Sequence, residues 1–258
     1  MAYIEWLGIG SGLNFSEHNT AFLLKGDFGN LLVDCGITIP KKLYESGLLD
    51  EIYGVVLTHA HSDHAGGLPD FGSYHYFVKG GRGKARPRLY LASDKTAREL
   101  WDKTLRGGME NMVDLYGKPV KATLETYFDV HTGTTIDIKG FPEIEFLKAN
   151  HVPGLDCGGL FVGDRIYYSG DNRDMPPADL DLKLIFQDCQ LHTGPNNGVG
   201  DVHATYDRLK KLDKKTKAIT YLVHYGKDWR NADPAKDGFA GFVRPGDKFD
   251  ISETCRKI

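Results

Sequence analysis

Apolar residues early in the chain come in short runs bounded by Gly, Asn or Asp: Tyr3 to Ile9, Asn19 to Lys25, Asn30 to Val33 and Gly54 to Leu57. Such runs, rich in β-branched and aromatic side chains, predict strands. Between the last two, residues 40–47 begin with Pro40, carry the apolar pair Leu43 and Tyr44 and close on Gly47, which predicts a short helix. Arg88 to Ala92 reads as a further strand. A helix then opens at Ser93 or Asp94 and runs to about Leu115, interrupted at Gly107-Gly108. Such a break suits either plain packing or a lid over a site. The second half predicts strands at Thr134 to Ile138, Ile144 to Lys148, Gly159 to Val162, Arg165 to Ser169 and Leu184 to Asp188. An amphipathic helix (Ala204 to Leu212), a buried strand (Ala218 to His224) and a last strand (Lys248 to Ile251) follow. Two β-rich halves, each ending in helix, predict an α/β sandwich of sheets covered by helices, one domain over residues 1–258.

The 258 residues, 41% hydrophobic, suffice for a full core. A net charge of −3 and a pI near 6.4 give no global pull toward nucleic acid, so a large RNA partner is disfavoured. Residues 80–88 form the one concentrated basic loop, either a phosphate grip or a solvated hairpin. The first residues show neither a basic n-region nor a long apolar run, so the expectation is a cytoplasmic protein without signal peptide or membrane span. Cys35, Cys157, Cys189 and Cys255 lack Cys-x-x-Cys spacing and read as reduced, buried thiols.

Chemistry concentrates in His59-Ala60-His61-Ser62-Asp63-His64, directly after the run Gly54 to Leu57 and Thr58. Imidazole and carboxylate suit zinc and similar divalent ions, and a loop leaving a strand end can aim them at one focus. Gly66-Gly67 then permits a sharp turn into a helix. Six residues cannot complete two coordination spheres. His151, Asp171 and His224 are the candidates to complete them, since each falls just past the end of a predicted strand, where α/β proteins collect ligands.

His-x-His-x-Asp-His followed by Gly-Gly, a later His151, the stretch Tyr168-Ser169-Gly170-Asp171 and a final His224 together resemble the metallo-β-lactamase superfamily over nearly the whole chain. Within it, Leu7-Gly8-Ile9-Gly10-Ser11-Gly12 and Leu32-Val33-Asp34-Cys35-Gly36 are similar to the opening strands of ribonuclease Z and related phosphodiesterases. The resemblance implies an αβ/βα sandwich holding two divalent ions, zinc first, with manganese or iron as alternatives. His59, His61 and His151 would hold one ion and Asp63, His64 and His224 the other, with Asp171 bridging and a hydroxide between the ions as nucleophile. Asp34 would orient the histidine loop. Asp201-Val202-His203-Ala204-Thr205 resembles the His-x-Thr element of ribonuclease Z, which makes His203 the candidate acid; helix capping around Asp201 is the other reading.

Ribonuclease Z enzymes that trim tRNA carry a long Gly/Pro-rich arm between the residues matching His151 and Asp171, where this chain has room only for a hairpin. Compact relatives without the arm include the anti-Pycsar phosphodiesterases of phages and bacteria. Motif order, the short spacing, Phe186 to Leu191 and Leu222 to Gly226 carry a resemblance to them. It implies a phosphodiesterase of cyclic mononucleotides, with Asp63 orienting or deprotonating the water, and a homodimer. The alternatives are a ribonuclease Z-type RNA nuclease, a glyoxalase II-like thioester hydrolase, against which His203-Ala204-Thr205 argues, and a metal-stabilised nucleotide-binding module. Tyr74, Tyr76, Phe77 and Trp229 are candidates to stack on the base, or else core.

Overall fold

The computed structural model describes residues 2–27, 29–79, 86–114, 116–192, 201–252 and 255–258. The first half lays down β1 (Tyr3–Gly8), β2 (Ala21–Gly26), β3 (Gly29–Val33), α1 (Ile39–Glu45), β4 (Ile52–Val56), α2 (Ser62–Ala65), α3 (Leu68–Ser73) and β5 (Arg88–Leu91). Next come α4 (Asp94–Glu99), α5 (Arg106–Met109), β6 (Asn111–Val113), β7 (Pro119–Lys121), α6 (Leu124–Tyr127) and β8 (Asp129–Thr132). The second half adds β9 (Thr135–Ile136), β10 (Ile144–Lys148), β11 (Gly158–Val162), β12 (Ile166–Tyr168), β13 (Leu184–Asp188), α7 (Tyr206–Leu209), α8 (Lys214–Ala218) and β14 (Thr220–Val223). It closes with β15 (Gly241–Phe242), β16 (Lys248–Asp250) and β17 (Arg256–Lys257). One eight-stranded sheet runs β17-β16-β1-β2-β3-β4-β5-β8, and a seven-stranded sheet runs β15-β14-β13-β12-β11-β10-β9.

Period-two alternation explains the layers. Along β2, Phe22 and Leu24 join the core shared with the second sheet, while Ala21 and Leu23 join the one beneath the helices. A strand buried on both faces reads as a continuous apolar run, which is why β2 shows no polar alternation. Between the sheets, Trp6 packs 4.8 Å from Phe22, 5.1 Å from Phe186 and 5.9 Å from Tyr168, ring centre to ring centre. On the outer face of the first sheet, Ile39, Leu43, Phe71 and Leu100 from the helical segments join Leu23, Leu32 and Val55.

The strands β3, β4, β5 and β8 pair in parallel, as do β12, β13, β14 and β15. Parallel neighbours need crossover connections, and α7 and α8 supply the one between β13 and β14.

Three expectations need correction. The helix expected to reach Leu115 ends at Met109. It passes from α4 through a π-helical stretch (Leu100–Leu105) into α5, so Gly107-Gly108 lie inside a turn of helix and do not break it. Beyond it the chain folds into the β6–β7 ribbon because Asp114 Oδ1 accepts from the amides of Tyr116 and Lys118, and Gly117 takes φ 78°, closing a turn. The helix expected over Ala204 to Leu212 is a single turn, since Thr205 pairs as a bridge with Gln190 and Ala204 donates its amide to the Asn172 carbonyl. Ala218 ends α8, so the strand expected from Ala218 starts at Thr220. Most of the basic loop, residues 80–85, lies outside the described residues. The four cysteines are buried and unpaired. Among the described residues, no helix is long and apolar enough to cross a membrane.

Candidate functional site

Ends of strands from both sheets meet at one rim. β4 leads through Leu57 and Thr58 into the histidine run, whose Asp63 and His64 already lie on α2. A Cβ at Gly67 would sit 2.4 Å from the Gly36 carbonyl oxygen, so glycine is what lets this loop pack onto the turn after β3. From the second sheet, the segments following β10, β12 and β14 bring His151, Asp171 and His224, and β13 ends on Asp188. Asp34 and His224 hold left-handed backbone, φ 62° and 56°. For residues other than glycine this costs about 1–3 kcal/mol, and it persists where surrounding structure dictates it, often at functional sites.

The structure gathers every residue that the sequence put forward for metal binding. Donor atoms of His59, His61, His151 and Asp171 lie within 4.8 Å of one another, and so do those of Asp63, His64, Asp171 and His224; Asp171 belongs to both groups and to a third, with Asp188, His203 and His224. His61 Nδ1 and His151 Nε2 are 3.1 Å apart, and Asp171 Oδ2 is 3.5 Å from His151 Nε2 and 3.7 Å from His59 Nε2. On the other side, Asp171 Oδ1 is 3.1 Å from His64 Nε2, and Asp63 Oδ2 is 3.2 Å from His224 Nε2. His59 Nε2, His64 Nε2 and Asp171 Oδ1 are buried without a hydrogen-bond partner among the described residues. A buried orphan costs about 1–3 kcal/mol, so several converging on one spot would destabilise the fold unless a cation satisfied them together. Imidazole and carboxylate donors are those that hold divalent first-row ions. The residues present fit such a metal site.

The outer atoms of these side chains are held in turn. Asp34 accepts from the Thr58 amide at 2.9 Å and hydroxyl at 2.9 Å and from Tyr168 Oη at 3.4 Å, and its Oδ2 lies 2.8 Å from His64 Nδ1. That leaves His64 Nε2 for the site, the orienting part the resemblance implied for Asp34. His59 Nδ1 is 3.1 Å from Thr58 Oγ1, and His151 Nδ1 is 2.9 Å from the Val202 carbonyl.

His203 joins the same rim, its ring centre 4.8 Å from that of His151 and 5.2 Å from that of His224. Its Nδ1 meets Asp188 Oδ2 at 2.7 Å, and Asp188 Oδ1 lies 3.3 Å from His224 Nδ1. The sequence reading missed Asp188. Its place at the end of β13 is the one feature it shares with the strand-end ligands, too weak a signal for a lone carboxylate. A cavity of about 340 Å³ opens on these groups and is lined by Asp63, His151, Asp171, His203 and His224. Tyr74, Tyr76, Phe77 and Trp229, proposed as base-stacking groups, do not line it; Trp229 packs instead against Arg244, whose guanidinium carbon lies 3.6 Å from the ring centre.

The sequence model of the family "Anti-Pycsar protein Apyc1" matches residues 2–249. The chain belongs to the Apyc1 family. An Apyc1 protein of Paenibacillus harenae is 33% identical over 258 residues, covering 96% of this chain and all of that one. Another, of Bacillus phage BSP38, is 31% identical, covering 86% and 88%. Among solved structures, the metallo-β-lactamase fold protein YhfI from Bacillus subtilis superimposes with a TM-score of 0.70 at 18% identity, over 97% of this chain and all of that one. The architecture is the metallo-β-lactamase αβ/βα sandwich.

In this Apyc1-family site the two sides differ electrically. Burial keeps the His59, His61 and His151 imidazoles below their ordinary range, hence neutral and ready to ligate. Burial acts the same way on His64 and His224, but carboxylates outweigh it. Asp171 and Asp34 hold His64 well above its usual value, and Asp171 with Asp188 and Asp63 pushes His224 up to about 10. Asp63 and Asp171 are correspondingly held below the carboxylate range, against burial, by His224 and His64. A metal ion would replace those protons as the positive partner of the two carboxylates.

Proposed function

We propose that this chain is a two-metal phosphodiesterase that opens a cyclic mononucleotide. Apyc1-family membership, the metallo-β-lactamase fold and the His/Asp cluster make it a metal-dependent phosphodiesterase directed against Pycsar signalling. The substrate, the number of ions and the part played by each residue are our reading. The observation that carries it is Asp171, one carboxylate whose Oδ2 faces His59 and His151 while its Oδ1 faces His64 and His224, an arrangement suited to a pair of adjacent ions. His59, His61 and His151 would hold one ion and Asp63, His64 and His224 the other, zinc being the first choice.

Bound ions supply Lewis acidity toward phosphate oxygens and a water acidified toward neutrality. Asp63, kept ionised at the cavity wall, would orient or deprotonate the attacking water. As the P–O bond breaks, the departing ribose oxygen needs a proton, and His203, on the cavity lining, would supply it. Burial alone would lower its pKa, but Asp188 raises it, which favours the protonated ring that an acid requires. With Nδ1 committed to Asp188, Nε2 is the atom that donates. The reaction is placed in the cytoplasm, that of the host where a phage encodes the protein, in keeping with phage proteins among the relatives. The reading includes a homodimer, carried over from the family resemblance and checked by solution mass.

Chromatography after incubation of the metal-loaded protein with cyclic mononucleotides, S-lactoylglutathione and a precursor tRNA tests the reading. The expected product is a linear nucleoside monophosphate. Turnover of the thioester or the tRNA alone, or tight nucleotide binding without turnover, would overturn it.

A further inference from the structure

The cavity over the metal-side residues is larger than a phosphate group needs and falls in the range of small-ligand pockets, roughly 300–1,000 Å³. The rest of its lining includes four aliphatic side chains, Leu13, Val152, Leu191 and Val202, the last beside His203. Leu13 is 85% exposed, on a loop that is firmly tied down. Asn14, itself buried, donates through Nδ2 to the Tyr225 carbonyl at 2.9 Å and accepts from Ser16 Oγ at 2.7 Å, while the Asn14 amide donates to Ser11 O at 2.9 Å. Rigid backbone therefore holds an apolar side chain in water at the cavity wall. A lone exposed leucine is ordinary, but this one borders a ligand-sized cavity. The nearby polar lining is engaged elsewhere. His192 Nε2 and Asp228 Oδ2 meet at 2.9 Å, and Gln190 Nε2 donates to the His192 carbonyl.

We propose that Leu13, with Val152 and Leu191, forms the wall that takes the nucleobase of the substrate by its face. The inference rests on the phosphodiesterase reading of the site: phosphate at the metal-side residues leaves the aliphatic lining to the base, whose flat faces are its least polar surface. Leu13 sets binding, not chemistry, so it acts on KM.

The test compares wild type, Leu13→Ala and Phe15→Ala on a cyclic mononucleotide and on the base-free cyclic ribose phosphate. Phe15 is on the same loop, 91% exposed and outside the cavity lining, so it controls for the loop itself. Leu13→Ala should raise KM for the nucleotide roughly tenfold with kcat little changed, and leave the base-free ester unaffected. Phe15→Ala should change neither substrate. A wild-type KM in Leu13→Ala, an equal change on both substrates, or the same effect from Phe15→Ala overturns the wall while leaving the phosphodiesterase reading intact. Wild type that opens no cyclic nucleotide removes both.

Discussion

His203 Nδ1 lies 2.7 Å from the Asp188 carboxylate, a contact that occupies Nδ1 and leaves Nε2 as the ring atom for any proton transfer. His203→Ala should cut turnover of a cyclic nucleotide by roughly 10²- to 10⁴-fold. Asp188→Asn, which acts through His203, should cost roughly 10- to 100-fold. A p-nitrophenyl phosphodiester, whose leaving group departs without a proton, should be far less sensitive to either change. Equal losses on both substrates would show that the pair does not work on the leaving group.

Asp171 turns Oδ2 toward His59 and His151 and Oδ1 toward His64 and His224. Asp171→Ala should therefore remove most bound metal and nearly all activity, because both groups lose a ligand together. Elemental analysis of the purified variant checks it, and wild-type metal content would refute the shared role.

Gly12 presses on Asp63. A Cβ built there lies 2.9 Å from Asp63 Oδ2 and 3.1 Å from its Cγ, closer than side chains pack. Gly12→Ala should push the Asp63 carboxylate aside and lower kcat by about 10²-fold, the cost of misplacing a reacting group by about an ångström. The melting temperature should hardly move, since only the far end of one side chain must shift. A large fall in melting temperature would mean that the loop itself rearranges.

His75 sits away from the rim, buried against the Phe71 ring at 4.4 Å, with no partner for Nε2 among the described residues. Burial, helped by Lys79, pushes its pKa down to about 4. Unfolded, it titrates near 6.5. Between those values the unfolded chain binds the extra proton, so this residue makes stability fall as pH drops from about 6.5 toward 4, by up to about 3 kcal/mol. Urea unfolding of wild type and His75→Leu across this window should show the gap in wild type's disfavour growing with acidity. Parallel curves would reject it.

Much of this architecture was legible because of how its strands are buried. Leu184–Asp188 and Ile144–Lys148 lie where their apolar runs place them, since residues flanked by turn formers have little freedom over where a strand ends. The ligands were legible for a different reason: histidine and aspartate crowd together in sequence only where chemistry needs them. The helix expected to Leu115 failed because helical composition continues past Met109, whereas Asp114 and Gly117 close a turn that tertiary pairing with Lys121 then fixes; Lys121 Nζ reaches Glu110 at 2.8 Å. Asp188 escaped notice because a lone carboxylate has no local signature. Its role appears only when His203, fifteen residues on, folds back against it.

The donor set also has an order in time. His59, His61, Asp63 and His64 leave the ribosome before His151 and Asp171, and His224 comes last, just past β14, the strand that pairs with β13 and β15. A nascent chain halted before residue 224 would display the early histidines without the group that completes the second donor set. The second donor set is thus complete only once residue 224 has been made and β14 has docked beside β13.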